Sequence, residues 1–274
     1  MRSMKALTVL VVLAGGVTAA TVVAALARPA SGEAPAGDTV PVLVELFTSE
    51  GCSSCPPADA LLQRLVETQP VTRAQIIALG EHVDYWDRLG WKDRFSSAAL
   101  TSRQQVYGAR FNTDSVYTPQ MVVDGSTEFV GSDASAARRA LERAVAAPHG
   151  RVRVALDEGT NTSRGDRSLA VTVTASDLPR EGADRADVVL AITEDRLRSD
   201  VTRGENHGRV LTHAAVVRYL APAGEAARDT AFTTHAEIPI GADWQRSHLN
   251  VVAFVQERRS RTVLAAAVLP VVVR

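Results

Sequence analysis

The amino-acid sequence predicts an α/β domain followed by an all-β antiparallel sandwich, and three features carry that expectation. An apolar, β-rich run from Val42 to Phe47 leads through a Gly51-Cys52 turn into apolar residues at helical spacing. Thr118-Pro119 precedes a short apolar run and an Asp124-Gly125 hairpin signal. Beyond Pro148 and Gly150 the pattern changes to alternating β-branched runs without a helix of convincing length.

The elements follow in order. Met1 to Lys5 is basic, and the mostly apolar run that follows ends in Ala25-Leu26-Ala27. Residues 1–27 therefore read as an export signal cut near Ala27, or as an uncleaved anchor, since the run is long enough to span a bilayer. Residues 28–40, rich in Pro, Gly and Ser, read as a flexible lead-in. Residues 41–148 hold the α/β domain. Its first strand and cysteine turn precede a helix carrying Ala58, Leu61, Leu62, Leu65 and Val66. A second strand runs from Ile76 to Val83, and a helix from Ser97 to Tyr107 is expected to stop at Gly108. A hairpin follows, and then a helix from an Asp133 N-cap to Ala147.

Residues 149–274 hold seven candidate strands: Val152–Leu156, Leu169–Ala175, Asp187–Ile192, Val210–Tyr219, Ala231–Ile238, Leu249–Val255 and Val263–Val272. With turn residues between them, they read as a sandwich of immunoglobulin size. The polar stretch Val201 to Arg209, with Arg203, Gly204, Glu205 and Asn206, is expected either to dock the two domains on each other or to bind a ligand.

A hydrophobic content of 46% suffices for packed cores, and a net charge of −1 gives no general attraction for nucleic acid. The only two cysteines form one pair, Cys52-Ser53-Ser54-Cys55. In an exported chain such thiols pair with each other or with a partner's thiol.

With the cysteine pair between first strand and first helix, and Thr118-Pro119 ahead of the hairpin and closing helix, the order of elements resembles that of thioredoxin-fold proteins. The fold class expected is thus a thioredoxin-like α/β domain followed by an all-β antiparallel sandwich. The stretches from Glu45 to Asp59, from His82 to Asp87 and from Tyr117 to Gln120 are similar to the exported family called domain of unknown function 1223. That family resemblance covers nearly all of the mature chain and implies no established substrate.

A thiolate attacks disulfides and a thiol does not, and a helix start favours the anion. Cys52, on the loop side, is the expected attacking residue and Cys55 the resolving one. Pro56-Pro57 is expected to push Cys55 away from helical geometry and to start the helix a turn later. The thioredoxin resemblance implies a cis Thr118-Pro119 bond packed against the pair, with Thr118 and Pro119 offering a docking edge to a peptide. It also places Glu45 where thioredoxins carry a buried acid that relays a proton to the resolving cysteine. Trp86 either lines the site or buries a long connection.

Three functions compete at this point. Thiol-disulfide exchange with a protein thiol or disulfide leads; a binding module with an inert disulfide is the alternative. Copper or zinc on two thiolates plus His82 is the third, and no cofactor or resident metal is expected under the first two.

Overall fold

The computed structural model of the protein describes residues 31–33, 39–157, 168–179 and 184–272. The segment expected to direct export, residues 1–27, lies outside the described residues. Among the described residues no helix is long and apolar enough to cross a membrane.

In chain order the elements are β1 (Ser31–Glu33), β2 (Val40–Thr48), α1 (Pro56–Thr68), β3 (Ala74–His82), α2 (Ala98–Phe111), β4 (Gln120–Val123), β5 (Thr127–Val130) and α3 (Ala134–Ala146). There follow β6 (Arg151–Leu156), β7 (Ser168–Ser176), β8 (Ala186–Glu194), β9 (Leu197–Asp200), β10 (Val210–His213) and β11 (Val216–Ala226). The chain ends with β12 (Phe232–Pro239), β13 (Leu249–Glu257) and β14 (Val263–Pro270). Ser31–Glu33, expected within a flexible lead-in, pairs antiparallel with β6.

The expected division into a thioredoxin-like α/β domain and a separate all-β sandwich is overturned. At 43% strand and 20% helix the protein is mostly β, and one mixed sheet of eight strands runs through both halves of the chain. Its order is β14-β13-β8-β11-β3-β2-β4-β5. β2 and β3 are parallel over nine residue pairs, and β11 joins β3, also parallel, through the single pair Val216 and Gly80. Gly80 permits that junction: a Cβ there would lie 3.1 Å from the Ala214 carbonyl oxygen and 3.3 Å from that of Ala215. Periodicity reveals strands but not which edges meet, so a join made by one glycine left no pattern to read.

Packing confirms the continuity. Leu43, Ile77, Leu79 and Leu100 from the first half share one buried cluster with Val252 and Phe254 from the second. On the other face, α1 and α3 cover Val42, Val44, Leu46 and Ile76. A second sheet, in the order β1-β6-β7-β12, lies over β8, β13 and β14 and closes a separate aliphatic core. β9 and β10 form a two-stranded hairpin.

Two helix boundaries also differ from expectation. α1 starts at Pro56 directly after Cys55, which takes right-handed helical angles (φ −78°, ψ −37°). First-turn N–H groups have no intrahelical acceptor, so Pro56 and Pro57 forfeit no hydrogen bond there. α2 passes through Gly108 to Phe111 and is capped instead by Asn112 in the left-handed region. The expected Asp133 N-cap is there, its Oδ1 accepting from the Ala136 N–H at 2.8 Å.

Candidate functional site

At the carboxyl end of β2 the chain turns into α1, and there Cys52 and Cys55 form a disulfide with their Cα atoms 5.4 Å apart. The Cys55 N–H donates to the Cys52 carbonyl (3.2 Å), and the Ala58 and Asp59 N–H groups donate to the Cys55 carbonyl (2.8 and 3.1 Å). With Pro56 and Pro57 in the first turn, α1 has no free N–H to offer a sulfur. The Ser54 hydroxyl lies 3.3 Å from the Cys52 sulfur.

Both cysteines are fully buried. Much of the lid comes from the other end of the chain, in the loop between β9 and β10. Asn206, itself fully buried, donates from Nδ2 to the carbonyls of Glu50 and Cys52, each at 2.9 Å. Next to it, the Glu205 carboxylate accepts from the Ser53 N–H at 3.1 Å. The loop is bonded to itself, from the Gly208 N–H to the Val201 carbonyl and from the Val201 N–H to that of Arg209. Gly204, at φ +72°, fits against Trp91, whose Cβ would stand 3.0 Å from a Cβ at 204. Of the two expectations for this stretch, the contacts of Asn206 and Glu205 match docking of the second half on the first.

Beneath the cysteine turn lies a buried polar knot. The His82 Nδ1–H donates to Asp93 Oδ2 at 2.6 Å, and that oxygen also accepts from the Glu50 N–H at 2.8 Å. Burial opposes the charged imidazolium, but the Asp93 carboxylate more than offsets this and raises the His82 pKa. Asp93 in turn sits at about 2, because His82 and two backbone N–H groups outweigh its burial. Glu50 accepts from Trp91 Nε1 at 2.8 Å and stands 3.3 Å from His213. These partners hold Glu50 below the usual carboxylate range despite burial. Burial raises the Asp59 carboxyl in the first turn of α1, and His213 and His82 oppose that rise.

Of the residues expected at the site, Trp86 adjoins the cysteine turn and Thr118 is hydrogen-bonded to Trp86. Trp86 Nε1 donates to Thr118 Oγ1 at 2.8 Å, and the Trp86 Cβ would meet a Cβ on Gly51 at 3.1 Å. Thr118-Pro119 is cis. Glu45 is fully buried but engaged elsewhere, on the face packed by α2 rather than α1. Its Oε1 accepts from Arg103 Nε at 2.6 Å, and its Oε2 accepts from the Tyr107 hydroxyl. Glu81 joins this group 3.4 Å from Arg103. Its burial and the neighbouring Glu45 push the Glu81 carboxyl well above the ordinary range, against the pull of Arg103.

Sequence reasoning missed Asp93, Glu50 and Arg103 as members of these buried networks. Arg103 carried a readable sign, since it falls on the helix face that also carries Leu100 and Tyr107. Asp93 sits in an irregular connection where no period applies. Among the described residues, no three His, Cys, Asp or Glu side chains are grouped to hold a metal ion, and His82 is committed to Asp93.

A disulfide set between strand and helix and capped by a hairpin from the second half defines a cystine-bearing α+β protein of mixed-sheet architecture. The chain belongs to the family described as protein of unknown function (DUF1223), whose model matches residues 43–256 and so includes both the cysteine turn and its cap. It is similar to a structural-genomics protein from Agrobacterium tumefaciens, at 26% identity and a TM-score of 0.62, over 85% of this chain and 96% of that one. It shares its fold with HBP35 of Porphyromonas gingivalis, at 14% identity and a TM-score of 0.61, over 85% of this chain and 76% of that one. No curated protein matches the chain.

Proposed function

We propose that this is an exported protein that exchanges disulfides with a protein partner through Cys52 and Cys55. The observation that carries the reading is the formed disulfide at the junction of β2 and α1, near the Trp86–Thr118 pair. A clip across so short a loop removes little unfolded-chain entropy, so stabilisation alone is a weak reason for it. Export is supported by the basic start and apolar run of residues 1–27 and by the paired cysteines.

In the exchange, a thiolate of the reduced pair at Cys52 attacks one sulfur of a partner's disulfide. The mixed disulfide forms as the partner's other sulfur leaves as a thiolate and takes up a proton. Cys55 then attacks Cys52, which closes the Cys52–Cys55 bond and releases the second partner thiol. The partner gains two electrons and two protons, and a dithiol donor must supply them to the pair again. Because both sulfurs are covered, the tip of the β9–β10 hairpin has to lift first, a local opening of the kind that costs less than global unfolding. Thr118 and Pro119 form the edge on which the partner's chain pairs.

Replacing Cys55 by Ser is expected to trap mixed disulfides with protein partners, visible as bands lost on reduction, while Cys52→Ser traps none. Equal trapping by both variants would remove the assignment of roles. The full burial of both sulfurs favours one rival, a binding protein with an inert cystine. That rival gains if neither variant traps a partner and the native disulfide resists dithiothreitol.

A further inference from the structure

The hairpin tip does more than cover the sulfurs. Three sources of hydrogen-bond donors ordinarily stabilise a thiolate at a helix start: the first-turn N–H groups, the N–H groups of the cysteine loop, and nearby hydroxyls. Here Pro56 and Pro57 lack an N–H, and the next two donors are spent on the Cys55 carbonyl. The Cys55 N–H is spent on the Cys52 carbonyl. The Ser53 N–H, one residue from the attacking sulfur, is taken by the carboxylate of Glu205. The Ser54 hydroxyl, 3.3 Å away, is in polar contact with the Cys52 sulfur itself.

We propose that Glu205 is a positioning residue that poises the Cys52–Cys55 couple toward the disulfide, by fixing a negative charge and an occupied amide beside the sulfur that would become a thiolate. The inference deepens the exchange reading and assigns the hairpin loop a redox task that a merely docking loop would not have. Its physical basis is that a couple becomes more oxidising when its reduced form is stabilised, as a thiolate is by donors and positive charge. Glu205 supplies the opposite. The Ser53 contact also favours the ionised form of Glu205, so the charge is present at neutral pH. Other titratable side chains around the turn are Glu50, Asp59, Asp93, His82 and His213, and none of them is replaced in the variants below.

Two variants separate charge from shape. Glu205→Gln keeps an oxygen that can accept from the Ser53 N–H but removes the charge; Glu205→Ala removes both. The purified full-length mature protein is equilibrated with graded ratios of reduced and oxidised dithiothreitol at pH 7. The reaction is a two-electron exchange in which dithiothreitol closes its ring as Cys52 and Cys55 become thiols, and the thiols are counted by alkylation and mass. At low salt, Glu205→Gln is expected to shift the equilibrium toward the dithiol at least ~3-fold, about 14 mV on a scale of ~30 mV per decade. The shift is expected to shrink in 0.5 M salt, because Glu205 is exposed and its field is screened. Alkylation of the reduced Cys52 in Cys55→Ser should also reach half its maximal rate at a lower pH when Glu205→Gln is added.

An equilibrium unchanged at low salt, or moved toward the disulfide, would overturn the assignment. So would a pair that no dithiothreitol ratio reduces in the native protein, and that outcome would remove the exchange reading too. A clear shift in Glu205→Gln together with no trapped partner in Cys55→Ser would leave the tuning standing and the exchange reading without support.

Discussion

At the scale of single residues, the buried carboxylates Glu45 and Glu81 lie on adjacent strands and face one guanidinium, yet they are held differently. Glu45 is held directly by Arg103 and Tyr107. Glu81 stands farther from Arg103, and neither of its oxygens has a hydrogen-bond partner. Glu45→Gln leaves the buried Arg103 without its carboxylate, and is expected to cost about 3–5 kcal/mol in urea denaturation. Glu81→Gln behaves otherwise. The Glu81 carboxyl is raised in the folded protein, so its contribution is whole below the unfolded value near 4.5 and declines as pH rises toward the folded one. Near pH 4 the Gln variant should match the parent within about 1 kcal/mol, and it should gain on the parent progressively up to pH 7.5. A Gln variant that instead loses ground as pH rises would mean that Glu81 is ionised in the fold. The thioredoxin resemblance implies a buried acid at Glu45, and the burial is there; its partners Arg103 and Tyr107 lie on a helix that strand alternation cannot name.

At the scale of elements, the informative piece is the β9–β10 hairpin. Its tip holds the cysteine turn by one side-chain amide on two carbonyls, and it does so from a loop kept rigid by its own backbone bonds. Asn206→Ala leaves two buried carbonyls without that donor, so a loss of roughly 2 kcal/mol or more is expected in chemical denaturation. The same variant should be reduced faster by dithiothreitol under native conditions, since the lid has lost its clamp. A loss of stability with no change in reduction rate would mean that the sulfurs are reached by another route. The sequence showed this stretch as polar and glycine-bearing, which identifies a tight loop. It also presented Val210 to Tyr219 as one strand, where Ala214 and Ala215 instead carry the chain from the hairpin into the main sheet. α1 was legible in every apolar position, and its prolines misled only because the rule against proline applies past the first turn.

At the scale of the molecule, the eight-stranded sheet makes the two halves one folding unit. Cut at residue 148, the first half would bare the apolar face formed by Leu43, Ile77, Leu79 and Leu100, which Val252 and Phe254 cover in the whole chain. A fragment of residues 39–148 is therefore expected to show no cooperative denaturation transition, measured by far-UV circular dichroism in urea, whereas an independent domain would melt sharply. Individual strands were plain in the sequence: β6, β7, β8, β12 and β13 fall within a few residues of their alternating runs. The architecture was not, because it turns on one residue pair, Val216 with Gly80, and long-range pairing leaves no local trace.

The clamp also has a history written into its chain order. Asn206 lies 154 positions after Cys52, so synthesis and any N-first passage through a membrane deliver the cysteines well before their cover exists. During that interval the cysteine turn lies without the Asn206 clamp, which can close only once the second half has been made. A newly made molecule thus offers its sulfurs without cover, whereas a mature one offers them only when the hairpin tip lifts.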